Sequence, residues 1–257
     1  MSLDIPFIEV CEAKLDPARA DDQLRMLKDS GLSVSSVQPR LHSLFPDQPR
    51  PQPADPRDRI QLLRQSMELF GRHFPGVTLV TITGAAPAGN YAEAYRVAIR
   101  EYSEAARIAA DCGVRLAVEP LNPILMNIDT FICSLAHADR IVEAVGLKSF
   151  GMFVDVWHIW EDTAVPLLIQ KYGNSIFGVH INDWRDPRAI GDRYLPGEGQ
   201  IPLVPLLQAI RATGYSGAYT LEIFSDPQLP DSLWLNPEDT ARRGRDAFAK
   251  VWESVCA

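Results

Sequence analysis

Short runs of apolar and β-branched residues alternate along this chain with longer segments of helical period. The runs are PFIEV, LSVSSVQ, VTLVTIT, VRLAVE, FGMFVDV, IFGVHI and AYTLEI. Between them lie stretches such as ARADDQLRMLKDSG, RDRIQLLRQSMELFGRHF, YAEAYRVAIREYSEAARIAADCG and LVPLLQAIRATG. Gly31, Gly113 and Gly214 end helical stretches where a left-handed residue caps a helix. Near-continuously apolar strands that alternate with helices predict an α/β protein, a parallel sheet covered by helices. No glycine-rich phosphate loop follows any strand; Gly84 and Gly89 in TGAAPAGN are isolated, which disfavours a doubly wound open sheet.

Ionisable residues close four of these runs: Glu119 ends VRLAVE, Asp155 ends FGMFVD, His180 ends FGVH and Glu222 ends AYTLE. A charge at the end of a buried strand is costly unless something compensates its desolvation. One divalent cation (Mn, Mg, Co or Zn) held by three carboxylates and an imidazole provides that compensation. Sites at strand C-termini favour a TIM-type (β/α) barrel, expected as a single domain over residues 1–257. Seven strands are counted, so the first βα unit of an eight-stranded barrel is missing before Pro6. A seam is expected between PFIEV and AYTLEI, left open, narrowed by direct pairing, or filled by another chain.

Other residues fall near the metal quartet. His158, three residues after Asp155 in VDVWHIW, is placed to hydrogen-bond a substrate. In HINDW, Asn182 and Asp183 either support the ligands or cap a turn, the second being the safer reading. Gly197 and Gly199 around Glu198 suggest a tight turn close to a ligand, and Arg193 is the nearest strong cation, with Arg185 and Arg188 as competitors. Trp157, Trp160, Trp184 and Trp234 line an apolar pocket if the topology is right. His42, His73 and His137 are read as structural or surface residues without partners. Two loops, Phe45–Asp58 and Phe224–Asp239, should project over the site as lids, walls or solvated decoration.

Composition narrows the partners. The formal net charge of −8 disfavours a general polyanion binder, so nucleic acid is not expected. No apolar run has membrane-spanning length, and MSLDIPFIEV lacks the layout of a signal peptide. Cys11, Cys112, Cys133 and Cys256 are scattered, which fits reduced thiols in a cytoplasmic enzyme acting on a small molecule, with a homo-oligomer admitted.

VEPLNP, DVWH, HINDW, DRYLPGEGQIP and LEIF, in this order, resemble the sugar phosphate isomerase/epimerase superfamily, the xylose isomerase-like TIM barrels, over essentially the whole chain from PFIEV onward. The resemblance implies a metal quartet at Glu119, Asp155, His180 and Glu222, and substrate binding by His158 and Arg193. It also implies a further βα unit before the segment that opens this chain. A metal-dependent isomerase or epimerase follows, with Glu119 and Glu222 exchanging a proton through a metal-stabilised enediolate. A lyase or dehydratase on the same metal is the close alternative. An endonuclease IV-like phosphodiesterase is disfavoured because Tyr194 replaces a histidine ligand, and a non-catalytic truncated barrel is the remaining reading.

Overall fold

The computed structural model describes residues 3–186 and 192–257. Its strands are β1 (Phe7–Cys11), β2 (Ser33–Gln38), β3 (Thr78–Thr81), β4 (Arg115–Val118), β5 (Phe150–Asp155), β6 (Ile176–Ile181) and β7 (Tyr219–Leu221). The helices are α1 (Ala20–Asp29), α2 (Pro56–His73), α3 (Tyr91–Asp111), α4 (Leu135–Val145), α5 (Val156–Ile159), α6 (Val165–Tyr172), α7 (Leu203–Ala212) and α8 (Pro237–Cys256). Among the described residues seven strands pair in chain order, all parallel, as a TIM-type barrel with one unit fewer than eight. No helix among the described residues is long and apolar enough to cross a membrane.

Register brings the strand-terminal residues to one rim. Asp155 lies opposite His180, which lies opposite Thr220. Glu119 and Glu222 sit one residue past their strands, yet their amides continue the ladder to Thr81 O at 2.8 Å and Ile181 O at 3.1 Å. The main core fills the layer between sheet and helices, while Val80, Ala117 and Phe153 form a separate cluster with Phe177 packed against it. Phe153 needs a gap in the neighbouring strand. A Cβ on Gly178 would lie 2.0 Å from the Phe153 ring, so only glycine fits there. Phe153 then lies beneath the His180 ring, with centroids 4.4 Å apart.

Among the described residues no backbone ladder joins β7 to β1. Phe7 and Ile8 on β1 are 46% and 40% exposed, whereas every residue of β3 and β5 is buried. Of the three outcomes expected for the seam, direct strand pairing is therefore absent. Side chains span it instead. Gln38 donates to Glu222 (2.8 Å), Thr220 donates to Ser35 (3.1 Å), and Arg245 of α8 donates to Leu3 O. Above it, the Lys14 ammonium lies 5.8 Å from the Trp234 ring.

The proline-rich loop is a fixed wall. Leu44 and Phe45 amides bond to Ile82 O and Thr83 O, extending β3. The buried Arg59 guanidinium donates to Ser43 O (2.7 Å) and Pro53 O (2.8 Å), and Asp55 caps α2. The three outlying histidines do have partners, contrary to expectation. His42 Nδ1 lies 2.8 Å from Pro39 O, His73 Nε2 lies 2.8 Å from Asp21, and His137 Nδ1 accepts from the Cys133 amide.

Candidate active site

The four strand-terminal residues converge at the C-terminal rim of the barrel. His180 Nδ1 is 3.6 Å from Glu119 Oε1 and 3.6 Å from Glu222 Oε1. One donor atom each from Glu119, Asp155 and His180 lies within 4.8 Å of the others. Two ligands about 2.1 Å from one tetrahedral ion are separated by roughly 3.4 Å, so this spacing suits a shared ion. Glu119 Oε1, Asp155 Oδ2 and His180 Nδ1 are buried without a hydrogen-bond partner. Orphaned polar atoms of this kind are rare in folded proteins and call for a missing partner. No hydrogen bond joins these three atoms; a cation satisfies all of them at once.

The electrostatics agree. Burial, reinforced by Asp155, Glu119 and Glu9 and opposed by His180, pushes the Glu222 carboxyl up to about 8. Burial disfavours charge on His180, but Glu222, Glu9 and Glu119 overcome it and hold the imidazole well above its usual range. Asp155 is also desolvated, yet His158, Arg193 and His180 draw it below the usual carboxylate range. Excess negative charge in a dry site is the condition under which a divalent cation binds.

Supporting residues fix the ligand orientations. Asn182 donates to Asp155 Oδ1 at 3.1 Å, so it supports the site, whereas Asp183 is the turn cap. The Asp183 carboxylate accepts from the amides of Gly197 (2.9 Å), Gly199 (2.9 Å) and Ile201 (3.0 Å). A Cβ on Gly199 would lie 2.3 Å from Asp183 Oδ1. The PGEG turn is thus wrapped around a carboxylate of this chain, and Glu198 pairs with Arg243 at 3.3 Å.

His158 is buried beside Asp155, with Nε2 3.7 Å from Asp155 Oδ2. Its Nδ1 accepts the Asn122 amide at 2.9 Å, which leaves the proton on Nε2. Burial, despite Asp155 and Glu119 nearby, lowers its basicity, so the ring is a neutral N–H donor facing the site. The Arg193 guanidinium lies 3.4 Å from the Trp157 ring centroid and 5.5 Å from that of Phe224. Its backbone amide donates to Phe224 O at 2.6 Å, so the loops after β6 and β7 hold it together. Arg185 stacks on Tyr194 at 4.2 Å; Arg188 lies outside the described residues. A cavity of about 450 Å³ opens beside Arg193, lined also by Arg185, Asp192, Tyr194, Glu198, Asp231 and Arg243. Trp160 and Trp184 pack together at 6.1 Å, whereas Trp234 is 44% exposed.

Glu9 and Gln38 were not anticipated. Glu9 Oε2 is 2.8 Å from His180 Nε2, and Gln38 Nε2 donates to both Glu9 Oε1 (2.9 Å) and Glu222 Oε1. The signal was present in FIEV, where an acid interrupts an apolar run as it does in the quartet.

Residues 2–251 match the model of the xylose isomerase-like TIM barrel family. The chain belongs to that family. Within it, the chain is 30% identical over 165 residues to inosose isomerase of Halalkalibacterium halodurans, covering 62% of this chain and 55% of that protein. It is 27% identical over 179 residues to fructoselysine 3-epimerase of Escherichia coli O157:H7, covering 67% and 63% respectively. The matched stretch thus spans about half the length of the inosose isomerases. Among solved structures, the IOLI protein with a bound zinc atom superposes with a TM-score of 0.77 at 20% identity, covering 96% of this chain and 87% of that one. At that identity the likeness is one of fold.

Proposed function

We propose that this chain is a divalent-metal-dependent isomerase or epimerase of a small polyhydroxy carbonyl compound, such as a sugar or an inosose. The observation that carries the reading is the set of orphaned, buried donor atoms on Glu119, Asp155 and His180 beside Glu222. The names of the relatives support isomerase or epimerase chemistry. Glu119, Asp155, His180 Nδ1 and Glu222 would hold the ion. When bound, a divalent cation supplies the positive charge that acidifies a C–H next to a carbonyl.

The chain's own residues do the rest. One of Glu119 and Glu222 takes the proton from the substrate carbon. Either that carboxyl returns it to the neighbouring carbon, which is isomerisation, or its counterpart delivers a proton from the opposite face, which is epimerisation. His158 donates its Nε2–H to a substrate oxygen, and the stacked Arg193 holds a second oxygen. Trp160 and Trp184 provide an apolar wall. The cavity beside Arg193 gives room for the remainder of the substrate, whose class it selects.

The test is a panel of ketoses, ketose phosphates and inososes, assayed with added Mn, Mg, Co or Zn and after chelation. Metal-dependent interconversion with solvent deuterium entering one substrate carbon is expected. Turnover unaffected by chelator, or loss of water without isomer formation, would overturn the assignment.

A further inference from the structure

Glu9 is the one carboxylate in the cluster that comes from β1, the strand left without a ladder partner at the seam. It is 11% exposed, and its two oxygens are both engaged: Oε2 with His180 Nε2 at 2.8 Å and with the Ser36 hydroxyl, Oε1 with Gln38 Nε2 at 2.9 Å. A carboxylate facing one ring nitrogen dictates what the other does. If Glu9 accepts the Nε2–H, the Nδ1 lone pair is left exposed, and Nδ1 is the atom that faces Glu119 and Glu222. An imidazole of the other tautomer would present an N–H where a lone pair is needed.

We infer that Glu9 is a positioning residue with two linked effects: it makes Nδ1 the metal-binding atom of His180, and it ties the edge strand β1 to the metal centre. This rests on the metal reading proposed above. One donor atom each from Glu9, His180 and Glu222 also lies within 4.8 Å of the others, but both Glu9 oxygens are already engaged by His180 Nε2, the Ser36 hydroxyl and Gln38, whereas the Glu119 and Asp155 atoms facing His180 have no partner. Gln38 completes the tie. Its amide donates to Glu9 and to Glu222 at 2.8 Å, so β1, β2, β6 and the residue after β7 are joined by side chains across the gap. Ordering His180 on an ion therefore also orders β1, through Glu9.

The test uses Glu9→Leu, which removes the acceptor, and Glu9→Gln, which keeps the size and a weaker carbonyl acceptor. Zinc affinity is measured by chelator competition. Loss of an outer hydrogen-bond partner typically weakens metal binding about 10- to 100-fold, so Glu9→Leu should fall in that range and Glu9→Gln at its lower end. In the wild-type zinc form carrying ¹⁵N-histidine, long-range ¹H–¹⁵N spectra should show His180 bound through Nδ1 with its proton on Nε2. Zinc should slow hydrogen exchange at Phe7–Cys11 in the wild type and leave it unchanged in Glu9→Leu. A purely structural Glu9 would lower thermal stability without altering zinc affinity or the zinc-induced protection. Both variants binding zinc within about threefold of wild type, or His180 binding through Nε2, would overturn the inference alone. A wild type that takes up no zinc would overturn the metal reading together with it.

Discussion

Titrating the metal-free protein with zinc at about pH 6.5, 7.5 and 8.5, by calorimetry in buffers of different ionisation enthalpy, counts the protons displaced as the ion enters. Burial and neighbouring carboxylates push Glu222 up to about 8, so at neutral pH most molecules carry a proton there. Displacing it at pH 7 costs about 1.4 kcal/mol, roughly a tenfold loss of apparent affinity relative to the fully ionised carboxylate. His180 is held above its usual range in spite of burial mainly by an ionised Glu222 and by Glu9, so the pair shares that proton rather than adding a second. The release near pH 7 should therefore approach about one proton per ion, and log affinity should climb by about one per pH unit before levelling off at alkaline pH. A carboxylate and an imidazole of ordinary basicity would together release only about 0.2 proton at pH 7. The same groups bind protons more tightly folded than unfolded. The metal-free fold should thus lose stability as pH rises from the ordinary carboxyl value of 4.5 through about 8. Glu222→Gln lowers the proton count and removes this part of the stability loss, while weakening zinc. Release below about half a proton at pH 7, or an affinity flat from about pH 6.5 to 8.5, would refute this account of the site.

Gly178→Ala places a methyl 2.0 Å from the Phe153 ring in a filled interior; it should cost at least about 1–3 kcal/mol in chemical denaturation, and a neutral result would contradict the packing of the barrel floor. Burial and Arg50 depress the His42 imidazole to about 4, so its contribution to stability should be full above 6.5 and fall away, by up to about 3 kcal/mol, as pH drops toward 4. His42→Gln should abolish that part of the acid sensitivity; identical acid profiles for the two proteins would refute it. Arg193→Lys keeps the charge but loses the planar stack on Trp157, and should lower kcat/KM about tenfold or more with zinc affinity nearly unchanged, as measured on whichever substrate the panel identifies.

The architecture was readable because its signals are local. An apolar run closed by Glu119, Asp155, His180 or Glu222 announces a buried strand whose end faces something charged, and parallel strands bring such ends to one rim. The count of seven strands came from the same runs. Glu9 and Gln38 stayed hidden for a different reason. Their partners, His180 and Glu222, are 171 and 184 residues away, and only closure of the sheet brings them within hydrogen-bond reach. FIEV alone reads equally well as an exposed edge residue. The roles of Asn182 and Asp183 divided on a similar point, since adjacent side chains on a chain leaving a strand face opposite sides: one reaches Asp155, the other the PGEG amides. The two glycines of that turn were read as a tight turn close to a ligand; their amides bind the Asp183 carboxylate, and Gly199 is where a Cβ would strike it.

The central claim is that Glu119, Asp155, His180 and Glu222 share one divalent ion. Crystals grown with manganese or zinc and measured at the metal's absorption edge test it directly. One anomalous peak is expected among the four side chains, about 2.0–2.4 Å from a carboxylate oxygen of Glu119, Asp155 and Glu222 and from His180 Nδ1. Crystals in which the ion occupies another site, while these four residues keep their present arrangement without it, would contradict the claim.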